Sequence, residues 1–151
     1  MSLSRLELWH LSIRLAKVML MNIESKDVVE RLSTLGYNLN DGDIVTLQLA
    51  INSAEQYIKN FCNITEIPAE LYYVAVDMAA GTLLKTKQSL GINVCENLNY
   101  SAAGISSIAE GDLTINFSTG DKNSTINMFN TLLNNLCNRD KELVAFRKLR
   151  W

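Results

Sequence analysis

Residues able to do chemistry are few in this chain and do not cluster. A serine or cysteine nucleophile needs a base held beside it. His10 is the single imidazole in 151 residues. Paired-carboxylate catalysis needs two acids in one cleft. The candidates Glu66, Glu70, Asp77, Glu110 and Asp112 read instead as solvated or capping groups. Gly120-Asp-Lys lacks the upstream glycine and the strand of a phosphate loop. Asn38-Leu-Asn-Asp-Gly-Asp43 misplaces the glycine of a calcium loop and lacks its closing glutamate. Cys62, Cys95 and Cys137 are odd in number and form no CxxC or Cys/His cluster, so they read as reduced thiols. No catalysis, cofactor or metal is expected.

Composition narrows the remaining classes. At 151 residues, 48% hydrophobic and 20% charged, the chain suits one folded domain that buries roughly 70% of its unfolded surface. A net charge of −2 offers no basic stripe for nucleic acid. No apolar run approaches the ~18 residues of a bilayer span, so no membrane contact is expected. Arg5, Glu7, Arg14 and Lys17 interrupt the apolar N-terminus, which argues against a cleavable signal.

The elements that must position these side chains are helices. Residues 1–22 form a first unit: Leu6, Trp9, Ile13, Ala16 and Leu20 recur at spacings of three and four, predicting an amphipathic helix. Met19 or Met21 could equally open the chain, making the earlier residues a non-native extension. Residues 23–151 form the main domain. Ser25 is placed as N-cap of a short helix carrying Val28, Val29, Leu32 and Leu35, with Gly36 as its stop. Asn40 or Asp41 caps the next helix, with Asp43 in its first turn at the positive end of the dipole. Along it Ile44, Leu47, Ile51, Ala54, Ile58 and Phe61 face inward, and Glu55 pairs with Lys59.

Pro68 opens a helix over about 69–89 that is apolar on nearly all sides. Such a helix belongs at the centre of a fold or in an oligomer interface. Ala79-Ala80-Gly81 lets a neighbouring backbone approach. Residues 91–104 read as loop. Alternation from Ile105, with Leu113, Ile115 and Phe117 on one face, predicts a hairpin near 105–118 turned at Glu110-Gly111. A C-terminal helix near 124–148 carries Ile126, Phe129, Leu133, Leu136, Leu143 and Val144. Its middle is rich in asparagine, which lowers helix propensity. Its end, with Lys141, Arg147, Lys148 and Arg150, suits the negative end of a dipole. The expected fold is mainly α: a bundle of about four to five helices with one small hairpin.

Asp77 stands out because it interrupts the most apolar helix. It either pairs with a basic residue of another subunit or points out to water. Tyr57, Tyr72 and Tyr73 lack interleaved lysine and arginine, so they suit packing better than base stacking. Arg147-Lys148-Leu149-Arg150-Trp151 is a basic tip, either a contact for a partner or a solvated end.

With these residues in view, the region from about Ser25 to Phe117 resembles the head–tail connector (adaptor) proteins of tailed bacteriophages and prophages. The acid-capped helix Asp41-Gly-Asp through Tyr57-Ile-Lys-Asn-Phe61 is like the family's first motif. Ile67-Pro68-Ala-Glu-Leu71 is like its "IP-x-x-L". Ser106-Ser-Ile-Ala-Glu-Gly-Asp-Leu-Thr-Ile-Asn-Phe117 is like its "S-I-S-E-G-D-x-x-V-x-F" hairpin. The resemblance implies virion assembly: a homo-oligomeric ring, typically a dodecamer, between the portal protein and tail-completion proteins. DNA then only passes through the lumen, and the chain resides in the virion neck, or in the host cytoplasm during assembly. On this reading Asp77, Glu110, Gly111, Asp112, Arg147 and Arg150 are the candidate oligomer or partner contacts. The alternative is a small helical DNA-binding, packaging or regulatory protein, whose recognition helix would have to be the asparagine-rich one.

Overall fold

The computed structural model describes residues 4–10, 22–95, 98–99, 107–110, 113–116 and 122–149; over 107–116, and at 122 and 123, it describes backbone alone. Helix predominates among the described residues, and the fold is mainly α. The helices are α1 (Ser25–Thr34), α2 (Ile44–Cys62), α3 (Tyr72–Ser89), α4 (Lys122–Cys137) and α5 (Asp140–Val144). A separate helical turn covers residues 5–10.

The chain enters α1 one residue earlier than its sequence suggests. Glu24 occupies the N-cap position, without a side-chain cap bond, and its carbonyl accepts from the Asp27 and Val28 N–H groups. The exit is the expected one. Gly36 takes φ +87°, a left-handed conformation that lacks a steric penalty only for glycine, and the Tyr37 N–H closes on the Leu32 carbonyl. Single 3-10 turns, Asp41–Asp43 and Ala69–Leu71, lead into α2 and α3. Asn63 ends α2 at φ 53°, a region asparagine tolerates better than most residues.

Helix α3 is the centre of the bundle, packed against α1, α2 and α4 of its own chain. Ala75, Ala79, Ala80, Leu83 and Leu84 are fully buried, and each such leucine contributes about 1.5–3 kcal/mol. Of the two burials expected for this helix, the chain supplies the first itself. At Gly81 a Cβ would lie 2.6 Å from Cys137 Sγ and 2.8 Å from Leu136 Cβ. The close approach foreseen for Ala79-Ala80-Gly81 is therefore made by α4.

The C-terminal region departs from the single helix expected over 124–148. Helix α4 stops at Cys137, and α5 is a separate short helix. The break lets the chain fold back over the end of α2, where Leu143 is fully buried and the Lys148 N–H donates to the Cys62 carbonyl at 2.7 Å. A straight helix would carry Leu143 past the core. Arg147 and Lys148 consequently lie beyond a helix end rather than in a last helical turn.

The backbone of Ser107–Glu110 runs antiparallel to Leu113–Asn116, with Ser107 opposite Asn116. Positions 111 and 112 and all side chains of this segment lie outside the described residues. The described body is thus helical, and the hairpin is not counted in it.

Candidate functional site

Asp77 lies on α3 facing α1 and the α4–α5 junction, with its side chain 14% exposed. Arg31 Nε donates to Oδ1 at 2.7 Å, and Arg139 Nη2 donates to Oδ2 at 2.5 Å. Arg139 Nη1 also donates to Glu142 Oε1 at 2.8 Å, while Arg139 Nε is buried without a partner. Both arginines belong to the same chain as the aspartate. The carboxylate is not a solvated group, and its charge is matched within the subunit. It fastens α1 to the turn between α4 and α5.

Another ion pair, between Asp43 and Lys87, is buried deeper. The sequence suggests a dipole-facing Asp43 in a first turn, yet the residue is 2% exposed. It receives Lys87 Nζ on Oδ1, Tyr37 Oη at 2.8 Å and the Asn40 N–H at 3.1 Å on Oδ2. Burial pushes its carboxyl up, but the bonds from Lys87, Tyr37 and the Asn40 N–H outweigh that and hold it below the usual carboxylate range. Burial, with the bond to Asp43, pushes Tyr37 up to about 12. The signal available in the sequence was Lys87, a lysine at a position where α3 is otherwise turned inward.

Tyr72 is buried and donates to Asp27 Oδ2. Burial and that bond push it up to about 12. Tyr57 stacks on Phe61 with ring centroids 5.9 Å apart and donates to Asp140 at 2.8 Å. Tyr73 points outward, 78% exposed. The three rings therefore do not form one platform. Arg147 is exposed, its guanidinium 5.7 Å from the centre of the Phe61 ring. Arg150, Gly111, Asp112 and the Glu110 side chain lie outside the described residues. Of the candidate contacts among the described residues, Asp77 and Arg147 lie in separate places, the first against Arg31 and Arg139 and the second over Phe61.

Between α2, α3 and α4 runs an open cleft of about 680 Å³. Its floor is Ala54, Met78, Leu133 and Cys137, and its rim carries Tyr57, Lys85, Gln88, Asn130 and Asn134. Burial raises the Cys137 thiol, partly offset by Lys85, and a raised thiol is a poor nucleophile at neutral pH. Among the described residues, no three His, Cys, Asp or Glu side chains are grouped to hold a metal ion. No described helix is long and apolar enough to cross a membrane.

The outward face of α2 is unusual. Residues 44–54 contain no charged side chain, yet Ile44, Val45 and Leu49 are 63%, 71% and 64% exposed. Ile44 was expected to face inward; at the first turn of α2 it projects instead past the end of the bundle. Set against protein-family models, curated proteins and solved structures, the chain matches none of them.

Proposed function

We propose that this chain is a structural subunit of a tailed-phage or prophage neck. Copies associate head to tail into a ring between portal and tail, and DNA passes through the lumen without being read. The order of the sequence motifs supports this: an acid-capped helix, a helix opened by Ile67-Pro68, then the segment through Glu110-Gly111-Asp112.

The observation that carries the reading is the outward face of α2. A helix that only meets water is normally studded with charge, whereas this one shows three large aliphatic side chains and the amides Gln48 and Asn52. Depletion of charge with retained aliphatic surface is the composition of an interface core. Repeated head-to-tail contact between identical subunits closes into a ring when the rotation permits.

The hairpin belongs to this reading. Two short strands are marginal alone, which favours support from a neighbour, and Glu110, Gly111 and Asp112 are the proposed contacts with the adjoining subunit or the lumen. Arg147 and Arg150 are the proposed contacts for an acidic surface on the portal or tail. Asp77 serves inside the subunit.

Gradient sedimentation with the portal protein of the same phage tests this. Co-migration with the portal is the expected result. Free chain at every ratio, with duplex-DNA binding that falls steeply as salt rises, would instead favour a DNA-binding protein.

A further inference from the structure

Nothing local in the sequence explains why α4 stops where it does. Residues 138–140 are Asn-Arg-Asp, with neither proline nor glycine at the break. Arg139 occupies the N-cap position of α5 at φ −112° and ψ 20°, and its side chain makes no cap bond. The Asn138 N–H still reaches the Asn134 carbonyl, but the Arg139 N–H turns to Cys137, and the Glu142 and Leu143 N–H groups start again on the Arg139 carbonyl. A helix that begins afresh leaves its first N–H groups without helical acceptors. In one continuous helix those of Asp140 and Lys141 would meet the carbonyls of Leu136 and Cys137. The Arg139–Glu142 ion pair, three residues apart, fits either arrangement.

The break is therefore held from outside, by the seating of residues 140–149 on the end of α2. Leu143 is the one buried side chain in that stretch, and Phe146 is partly buried beside it. Cys62 Sγ donates to the Leu143 carbonyl at 3.4 Å, and Asn63 Nδ2 donates to the Lys148 carbonyl at 2.9 Å. The Lys148 N–H and Tyr57 Oη complete the seat, on the Cys62 carbonyl and Asp140. Val144 and Leu149 are 58% and 72% exposed. A latch with one buried anchor is thus set against the helix continuity that it interrupts.

We propose that residues 138–149 are a hinged strap: when it lifts from α2, α4 and α5 join into one helix and the end of α2, with Cys62, is uncovered. Segments with few buried contacts open at low free energy, and here the backbone bonds gained at the hinge offset those given up at the seat. The two states exclude each other, because a straight helix carries Leu143 away from the core. The device goes beyond the neck reading and does not depend on it.

The test follows alkylation of Cys62 by N-ethylmaleimide in the full-length protein, read by peptide mapping. Cys62 is fully buried under the strap, so its rate reports lifting. Hydrogen exchange at the Leu83 and Leu84 amides reports opening of the whole bundle. Asn138 is exposed, and alanine there favours the continuous helix while glycine opposes it. Asn138→Ala is expected to be alkylated faster than wild type and Asn138→Gly slower, about fivefold apart, with unchanged core exchange. Equal rates, or the reverse order, overturn the proposal.

Leu143→Ala removes the anchor and is expected to speed alkylation and to raise the helical far-ultraviolet ellipticity as residues 139–141 enter the helix. Faster alkylation with lost ellipticity and an intact core means that the strap merely frays, which also overturns the proposal. Should this variant unfold the bundle, the two Asn138 variants decide the matter alone.

Discussion

Lys87, in the last turn of α3, places its ammonium on the carboxylate of Asp43 at the entrance to α2, and both side chains are buried. The contact fixes how the two central helices meet at that end of the bundle. Two ions taken out of water must satisfy each other, and Tyr37 and the Asn40 N–H complete the aspartate's bonding.

Breaking one side of such a pair leaves an uncompensated buried charge, at a cost of about 3–5 kcal/mol. Lys87→Met is therefore expected to lower unfolding free energy by that amount in urea titration. Asp43→Asn combined with Lys87→Met should lose clearly less than the sum of the single changes, since the residues touch. Additive losses would show that the pair is not coupled.

Gly81 is where α4 comes closest to α3. Alanine would ordinarily gain about 1 kcal/mol over glycine inside a helix. Here its methyl would meet Cys137 Sγ and Leu136 Cβ inside normal contact distance. Overpacking of this kind costs about 1–3 kcal/mol, so Gly81→Ala is expected to lower the thermal midpoint. A raised midpoint would mean that α4 moves away freely.

Asp77→Ala removes the acceptor shared by Arg31 and Arg139. A partly buried, charge-assisted pair of bonds is worth about 1–3 kcal/mol, and the loss should appear as reduced stability with unchanged assembly mass. Reduced mass at intact stability would place this carboxylate in a subunit contact instead.

The tyrosines set an alkaline limit. Tyr37 and Tyr72 are raised from the usual value near 10 to about 12, so the folded state holds their protons more tightly than the unfolded chain. Their contribution is complete below pH 10 and is lost as pH rises from 10 through about 12. Asp43 is lowered, so its contribution is complete above the unfolded carboxylate pKa, about 4, and falls away as pH drops below that value. Urea midpoints followed across pH, with tyrosinate absorbance as a second signal, should fall in both directions. Tyr37→Phe should flatten part of the alkaline fall.

The helices were legible because their information is local. The three-four rhythm of Leu47, Ile51, Ala54 and Ile58, the stop at Gly36 and the opening at Pro68 each act within a turn or two. The partners of Asp43 and Asp77 were not legible, because Asp43 meets Lys87 and Asp77 meets Arg31 and Arg139 only after the bundle closes; the apolar neighbours of Asp77 marked it as unusual but did not say what it would meet. The break before α5 was hidden for a related reason: Leu143 is turned inward by a docking on α2 that lies far away in sequence. Ile44 follows the inward rhythm of its helix but sits beyond the last layer of core, so periodicity alone misplaced it.

Electron microscopy of the chain mixed with a cognate phage portal protein tests the proposed neck role most directly. The prediction is a closed ring of copies seated coaxially on the portal, its lumen extending the DNA channel. Portals that stay bare at saturating concentration, while the chain remains folded and dispersed beside them, would contradict it.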